Sequence, residues 1–295
     1  MSDQRIDNLQ EKAIPVSQAW RILDVSHAGF YATAKRGRTV PGACFDRVHL
    51  RAVLQARGRS YGSRRLCTAL HMHGVTMGRH KVRRLMRANG LRPLWRRKFV
   101  HTTDSKHTLP VSPNVLARQF EKPLPNLAWV CDITYIRTRS GWQYLAAVMD
   151  LHARKIVGWA MAPEMPATRV CTALQMAIVQ RNPTASMVVH SDRGTQYASA
   201  QHQGLLKQHG LVGSMSCKGN RWDNAVMECF FLNLKMERVW QKDNANHSEA
   251  MTDVADYIVG FYNCTRLHSK LGNLSPNAFK RQSATQPPID MAEIT

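Results

Sequence analysis

The segment Ser214–Val239, SMSCKGNRWDNAVMECFFLNLKMERV, carries the pattern around which the rest of the chain is organised. It starts as a polar loop, and because Asp223 and Asn224 are residue types that cap helix N-termini, a helix is predicted to begin there. Asn224, Glu228 and Lys235 share one face of that helix, at about 3.6 residues per turn. A carboxylate among apolar residues is costly unless it is paired or binds a metal. Alternatively, Glu228 complements the helix dipole in the first turn.

The positive charge of the chain is its clearest compositional feature. Among 295 residues there are 41 Lys and Arg against 20 Asp and Glu, a net charge of +21. Residues 1–122 hold 24 basic and 7 acidic side chains, whereas residues 123–295 hold 17 and 13. A basic front half and a nearly balanced back half indicate a polyanion-binding module followed by a different functional unit. Nucleic acid is the polyanion that we expect.

Two other classes of protein are disfavoured by the same sequence. It has no uninterrupted apolar run of transmembrane length, and the start MSDQRIDNLQ lacks the apolar region of a signal peptide. A cytoplasmic protein without a membrane partner is therefore predicted. The seven cysteines include no Cys-x-x-Cys pair, which argues against a disulfide framework and against a cysteine-rich zinc site.

The basic front half is predicted to contain two helix-turn-helix regions. Residues 1–40 form the first, an N-terminal segment of two short helices joined by a tight turn. Residues 41–100 form the second, in which Asp46 is the only acid against fifteen Lys and Arg residues. Residues 101–122 hold several prolines and are predicted to be a linker, with one helical turn around Val115–Phe120.

A helix rich in arginine lies near the end of the second region. Gly78 is an acceptable N-cap for the segment RHKVRRLMRAN, and Gly90 suits its C-terminus. Apolar residues at helical spacing face a small core, which leaves four arginines directed outward: Arg79, Arg83, Arg84 and Arg87. Such a helix suits a DNA groove, where phosphates supply much of the affinity. A solvated basic face without a partner is the alternative.

Residues 123–285 are predicted to form an α/β catalytic domain, and residues 286–295 a tail. Alternating apolar positions and turn residues predict strands and helices in the order βββαβα, with a last short strand after them. The strands are Trp129–Ile136, Tyr144–Met149, Lys155–Met161, Met187–His190 and Leu211–Ser214, and the helices Thr168–Gln180 and Ala198–His209. Three antiparallel strands followed by helix–strand units indicate a mixed sheet with helices on both faces.

Three acidic residues occupy special places in this pattern. Asp132 lies within the first strand, Asp192 at the carboxyl end of a later strand, where ligands bind in open α/β sheets, and Glu228 on the late helix. A cluster of three carboxylates repels itself unless a cation neutralises it. Oxygen ligands favour Mg²⁺ or Mn²⁺, and two such ions can promote phosphodiester chemistry. A basic chain with this cluster is expected to carry out phosphoryl transfer on nucleic acid.

Several linked motifs point to a known family. They are Trp129–Ile136 (WVCDITYI), Met149–Trp159 (MDLHARKIVGW), His190–Tyr197 (HSDRGTQY), Ser214–Glu228 (SMSCKGNRWDNAVME) and Tyr262–Phe279 (YNCTRLHSKLGNLSPNAF). Between Asp192 and Glu228 lie 35 residues. With these motifs the chain resembles the DDE transposases of the IS-three insertion-sequence family, whose core is similar to retroviral integrases and has an RNase H-like fold. Residues 61–91 resemble the helix-turn-helix upstream of such cores.

The resemblance implies a transposase that cleaves DNA strands and transfers them to a target, using two Mg²⁺ ions or, alternatively, Mn²⁺. Asp132, Asp192 and Glu228 are then the catalytic triad and the metal ligands. Lys235 matches a basic residue that contacts the end of the mobile element. The implied partners are double-stranded DNA, further copies of the chain on that DNA, and an upstream-frame protein with its own helix-turn-helix and leucine zipper. The chain itself then corresponds to the downstream-frame product.

Several residues keep two interpretations at this point. Lys218 and Asn224 are candidates for DNA contacts or for supporting the site. Trp222 either stacks on DNA or packs against the protein. Lys235 is alternatively a solvated helix lysine paired with a neighbouring acid. The segment around Arg266 either contacts a phosphate of the DNA or packs on the core as a helix–loop tail.

Two other functions also remain open. The first is a non-catalytic regulator that occupies the element ends on behalf of a longer fusion protein, and the second is a structure-specific nuclease. A hydrolase pair of His190 and Ser191 is disfavoured, because neighbouring residues on a strand point to opposite faces. A strand-transfer assay separates the three functions by its products: joined DNA, bound DNA only, or hydrolysed DNA only.

Overall fold

The computed structural model describes residues 40–94, 109–164, 166–217 and 220–285. The chain divides into two compact units, Met1–Pro93 and Leu94–Thr295, which we describe one at a time. The helices expected before residue 40, the tail from residue 286 and Lys218 lie outside the described residues. None of the helices in the described ranges combines the length and the apolar character needed to cross a membrane.

The described part of the front unit, from residue 40, contains three helices: α1 (Val40–Ala56), α2 (Ser63–Met72) and α3 (Arg79–Ala88). Helices α2 and α3 are the predicted helix-turn-helix pair, whereas α1 was not anticipated from the sequence. Leu54, Leu66, Leu70 and Val82 are buried between them. Gly74 follows α2 with a φ of 75°, a conformation that costs glycine little and most other residues more. The residues between the helices therefore turn the chain sharply enough for α2 and α3 to pack.

The second unit contains a five-stranded mixed sheet. Its strands are β1 (Ala128–Thr138), β2 (Gly141–Asp150), β3 (Lys155–Ala162), β4 (Val188–Ser191) and β5 (Val212–Met215). The order across the sheet is β3-β2-β1-β4-β5; β1, β2 and β3 are antiparallel neighbours, and β4 and β5 run parallel to β1. Each predicted strand is present within a few residues of its expected ends, and the mixed sheet is confirmed.

The described residues of this unit form six α-helices. They are α4 (Ala167–Arg181), α5 (Thr195–Ala198), α6 (Ala200–Gln208), α7 (Ala225–Glu237), α8 (His247–Asp256) and α9 (Pro276–Thr285). Helices α4, α5 and α6 share a core with Trp129 and Cys131, whereas α7 and α8 share a second core with Ala128 and Val130. The alternation of β1 therefore sends successive side chains to opposite faces, as in any strand with two covered faces.

One glycine sets how closely a helix approaches the sheet. A Cβ atom on Gly158, in β3, would lie 2.2 Å from the carbonyl oxygen of Ala173 in α4. Atoms cannot approach that closely, so α4 could not lie where it does beside any other residue at position 158. The short distance between helix and strand explains why this part of the core is filled by small residues such as Ala173 and Ala177.

The described part of the predicted linker packs on the second unit. Leu116 is buried, and the hydroxyl oxygen of Ser214 accepts the backbone N–H groups of Val115 (2.9 Å) and Leu116 (3.1 Å). The helical turn expected around Val115–Phe120 was a wrong prediction. Ala117 and Arg118 instead have φ values of 47° and 62°, which close a β-turn and are incompatible with an α-helix.

Candidate active site

The register of the sheet brings the first two acids together. Strand β4 pairs with β1 over Ala128–Val130, with Val130 opposite His190. Asp132 lies two residues after Val130, and Asp192 lies two residues after His190. Both therefore lie just beyond the carboxyl ends of the paired segments of these neighbouring parallel strands. This is the edge at which open α/β sheets bind ligands. The sequence predicts the strand position of each residue, and the parallel pairing of β1 with β4 explains why the two residues lie close together.

Asp132 lies in an electrostatically unfavourable environment for a carboxylate. Burial and the charge of Asp192 raise its pKa well above the ordinary value, and Glu228 adds to the repulsion. The backbone N–H of Ile133, which donates to Asp132 at 2.8 Å, and the ammonium of Lys235 act in the opposite direction. The three carboxylates therefore lie close enough to repel one another. Their repulsion and the burial of Asp132 raise its pKa by more than the Ile133 N–H and Lys235 lower it.

The turn after β4 orients Asp192. The backbone N–H of Gly194 donates to its Oδ1 atom at 3.0 Å, in an Asx-type turn that leads directly into α5. A Cβ atom at position 194 would itself lie 3.0 Å from the same Oδ1. Glycine therefore allows the carboxylate and the backbone to approach each other, which explains the segment SDRG at the end of this strand.

Glu228 is placed by the burial of helix α7. Met227, Phe230 and Leu234 are buried in the core on the α7 face of the sheet, whereas Glu228 in the first turn stays half-buried. Just before the helix, the side-chain amide of Asn224 donates to the Cys131 carbonyl at 3.2 Å. This hydrogen bond ties the start of α7 to β1, one residue from Asp132.

Asn224 was expected to contact DNA or to support the site. It is 4% exposed, similar to Lys235, and a DNA contact by it remains a prediction. A hydrogen bond to β1 is the alternative support role, and the geometry agrees with it. The four arginines of the DNA-binding prediction, in contrast, are all exposed on α3: Arg79, Arg83, Arg84 and Arg87.

Asp223 holds the loop that precedes α7. Its carboxylate accepts the Cys217 backbone N–H (2.8 Å), the Asn114 side-chain amide (3.0 Å) and the Arg118 guanidinium (2.8 Å). Burial acts to raise the pKa of Asp223, but the hydrogen bonds from Arg118 and Cys217 lower it below its ordinary value. The helix-capping role expected for Asp223 is not observed, since its oxygens bind these distant partners. Sequence reasoning missed this arrangement, because Asn114 and Arg118 lie about a hundred residues away.

Lys235 points into the protein towards the acids. It is 5% exposed, and its ammonium lies 4.4 Å from the ring centroid of Tyr135, a cation–π contact. Burial lowers its pKa to about 8, although the charge of Asp132 acts to raise it. The alternative of a solvated lysine paired with a neighbouring acid is therefore wrong as to solvation, whereas its pairing with an acid is not contradicted. The predicted contact with the element end remains a prediction.

The donor set suits a divalent cation. Among the described residues, no three His, Cys, Asp or Glu side chains already converge closely enough to hold a metal ion. Asp132, Asp192 and Glu228 nevertheless repel one another, and mutually repelling carboxylates gain by converging only around a cation that neutralises them. Carboxylate oxygens are the ligands of Mg²⁺ and Mn²⁺. We conclude that these residues fit such an ion.

Comparisons with known proteins agree with this arrangement. A model described as an HTH-like domain matches residues 46–99, and two models described as integrase core domains match residues 122–221 and 228–284. Transposase InsF for insertion sequence IS3A, from Escherichia coli (strain K12), is 40% identical over 267 residues, covering 89% of this chain and 93% of that protein. The insertion element IS600 uncharacterized 31 kDa protein of Shigella sonnei is 40% identical over 264 residues, covering 89% and 97%.

Among solved structures, the catalytic core domain of BIV integrase aligns with 54% of this chain and 96% of its own, at 18% identity and a TM-score of 0.41. The family itself is established by the two sequence relatives, because the alignments cover nearly the whole length of each, and by the matching domain models. The chain therefore belongs to the IS3-type insertion-sequence transposases, with an integrase core of RNase H-like fold behind a helix-turn-helix region.

Proposed function

We propose that this transposase catalyses metal-dependent cleavage of DNA at the ends of its insertion sequence and transfers the resulting strands to target DNA. The observation that carries the proposal is the pairing of β1 with β4, which brings Asp132 and Asp192 side by side, together with the hydrogen bond that ties the start of α7, and so Glu228, to β1. Burial and the charges of Asp192 and Glu228 accordingly raise the pKa of Asp132. A protein gains nothing in stability from such repulsion, so perturbed carboxylates in a cleft are candidates for function. We assign these three residues as the catalytic acids and metal ligands.

The roles of the protein groups follow from their hydrogen bonds. The N–H groups of Ile133 and Gly194 orient Asp132 and Asp192, and Asn224 fixes the start of the helix that carries Glu228. Bound Mg²⁺, or Mn²⁺ in its place, would supply charge stabilisation for the attacking and leaving oxygens of a phosphodiester. Two ions, as in the family, would take their protein ligands from this one set of carboxylates.

A nucleophile from the protein is not required and is not favoured. Both ring nitrogens of His190 are engaged, with the Ser214 hydroxyl at 2.9 Å and the Ser216 hydroxyl at 3.2 Å. Burial lowers the pKa of His190 to about 4, so the ring is neutral at physiological pH. Ser191 donates its hydroxyl to the Asp192 carbonyl instead. We therefore propose water, and then a DNA 3′-hydroxyl, as the attacking groups.

The DNA-binding part of the proposal rests on helix α3. Arg79, Arg83, Arg84 and Arg87 are exposed there while Val82 and Met86 are buried, so the basic side chains are available to phosphates. We propose double-stranded element ends and target DNA as the ligands. Lys218 and Lys235 remain proposed DNA contacts of the core. Further copies of the chain and an upstream-frame helix-turn-helix protein are the proposed protein partners.

Strand-transfer assays with element-end DNA test the proposal. Asp132→Asn, Asp192→Asn and Glu228→Gln should each reduce cleavage and joining to background while DNA affinity stays close to that of wild type, because amides are poor ligands for Mg²⁺. Asp256→Asn makes the same chemical change at an exposed carboxylate and should leave the products unchanged. Joining at the wild-type rate by any of the three site variants would contradict the assignment. DNA that is bound but never cut would favour a regulator, and hydrolysis without joining a nuclease.

A further inference from the structure

A groove runs between the β1–β2 hairpin and the C-terminal end of α7. Its cavity volume is about 620 Å³, which is the size of many small-ligand sites. Tyr135, Arg137 and Trp142 line it from the hairpin, and Lys235 and Trp240 line it from α7 and the turn that follows. We call it the hairpin groove. Its lining includes four basic residues and a single acid, Asp243, so it attracts anions.

The acid does not cancel the charge of the groove. Asp243 is bound by Arg139 through two hydrogen bonds, at 2.9 and 2.7 Å, and this pair lies at the exposed end. Arg137 lies instead above the indole of Trp142, with its guanidinium carbon 5.7 Å from the ring centroid. The exposed guanidinium of Arg137, next to the Trp142 ring, is therefore available to a ligand.

Trp142 is more exposed than its structural role requires. It makes an edge-to-face contact with Tyr135 at 5.2 Å, a cross-strand aromatic contact that stabilises a hairpin. That contact leaves 47% of the side chain exposed, with Arg137 beside it. An aromatic side chain and a guanidinium presented together are the combination on which nucleic-acid bases stack in sequence-tolerant sites.

The groove lies beside the candidate active site. Lys235, which lines the groove, contacts the Tyr135 ring, and its charge acts on Asp132, which precedes Tyr135 by three residues on β1. A DNA strand lying in the groove would therefore be close to the carboxylates. Bases in a duplex have both faces covered by their neighbours, so only unpaired nucleotides can use these rings.

We propose that the hairpin groove binds a short unpaired stretch of a DNA strand, with a base stacked on Trp142 and phosphates near Arg137 and Lys235. The proposal goes beyond the assignment of the catalytic acids, because it names the part of the substrate that is opened and the residues that hold it. It rests on the proposed function only in taking DNA as the ligand.

Fluorescence anisotropy with the full chain, in EDTA and at low salt, tests the groove without turnover. The probes are a dye-labelled blunt duplex of mixed sequence and the same duplex with a short unpaired thymidine extension, placed at either end of one strand. Stacking of one base predicts that wild type binds an extended probe at least about fivefold more tightly than the blunt one. Trp142→Leu should abolish this preference, and Trp142→Phe should retain part of it.

Charge variants keep the test decisive if Trp142→Leu does not fold. Arg137→Gln should reduce the preference for the extended probe, whereas Arg169→Gln, which removes an exposed arginine from α4, should not. Equal affinities of wild type for the blunt and both extended probes would overturn the proposal that the hairpin groove binds unpaired DNA. A preference that survives both Trp142→Leu and Arg137→Gln would overturn it as well. Joining activity without the preference would refute the groove alone, and the preference without joining would refute the proposed function alone.

Discussion

The two ends of helix α7 hold carboxylates in opposite electrostatic situations. Glu237, its last residue, is 1% exposed and accepts two hydrogen bonds from the equally buried Arg266, at 2.8 and 2.7 Å, and one from the Tyr257 hydroxyl, at 2.7 Å. Glu228, in the first turn, lies near Asp132, whose pKa is raised by burial and by the charges of Asp192 and Glu228. The acid in the last turn is held by a cation and donors, whereas like charges act on one another at the first turn.

The neighbouring cations show the same contrast. Burial acts to lower the pKa of Arg266, but the hydrogen bonds and charge of Glu237 raise it above the ordinary value. Burial lowers the pKa of Lys235 to about 8, and Asp132 offsets only part of that. A buried acid that serves the fold is matched by a cation and by donors, whereas acids that serve a ligand keep a mutual repulsion that the ligand relieves.

The largest effect is expected at the compensated end. Arg266→Met leaves Glu237 buried without a counter-charge, which should lower the free energy of unfolding by about 3–5 kcal/mol. Urea unfolding followed by tryptophan fluorescence measures this, because five of the seven tryptophans lie within residues 123–285. Combining Arg266→Met with Glu237→Leu should recover most of the loss. A change below about 1 kcal/mol for the single variant would remove the contrast between the two ends.

A smaller effect is expected when a cation is added among the three acids near the first turn of α7. Mg²⁺ at about 100 times its dissociation constant should raise the free energy of unfolding by about 2.7 kcal/mol, because it binds the folded acids. Asp132→Asn should abolish this increase, and Asp256→Asn should keep it. Urea unfolding with and without Mg²⁺, at constant ionic strength, gives the comparison. Equal stabilisation of wild type and Asp132→Asn would place the ion elsewhere.

A third effect is expected from Lys235 and depends on pH. Its pKa is about 8 in the folded chain against an ordinary value of 10.5, so the unfolded chain binds more protons between these values. The free energy of unfolding should therefore rise with pH across this window in wild type. Lys235→Gln removes that component, and the difference between the two proteins cancels the titration of other groups. Parallel stability–pH curves from pH 8 to 10.5 would contradict the burial of the ammonium.

The sequence predicted the sheet well because strands follow local rules. Residues of β1 alternate between two covered faces, and a period of two is visible without knowledge of what covers them. The same reasoning located Asp132 within β1, Asp192 after β4 and Glu228 on α7. The strand pairing that brings the acids close then follows from the topology.

Contacts over long sequence separations were not predictable in the same way. Arg266 is as consistent with a phosphate ligand as with packing, until its partner Glu237, 29 residues away, is known. Asp223 looks like a helix cap, yet it binds Arg118 and Asn114 from the segment that precedes the sheet. Ala117 and Arg118 have left-handed backbone conformations, yet neither is a glycine or an asparagine, the residues that usually mark such a turn. The sequence therefore predicts a helical turn there. In each case a distant partner outweighs the local preference.

The edge of β1 beyond its pairing with β4 has a consequence for self-association. From Cys131 onward no described strand lies on this side of β1, and an open strand edge is a template for pairing with another chain. Two side chains cover its first polar groups, since Asn224 donates to the Cys131 carbonyl and Asp132 accepts from the Ile133 N–H. Substitutions that remove these side-chain groups should therefore expose backbone that a neighbouring molecule can pair with, and we expect them to lower the concentration at which the protein aggregates.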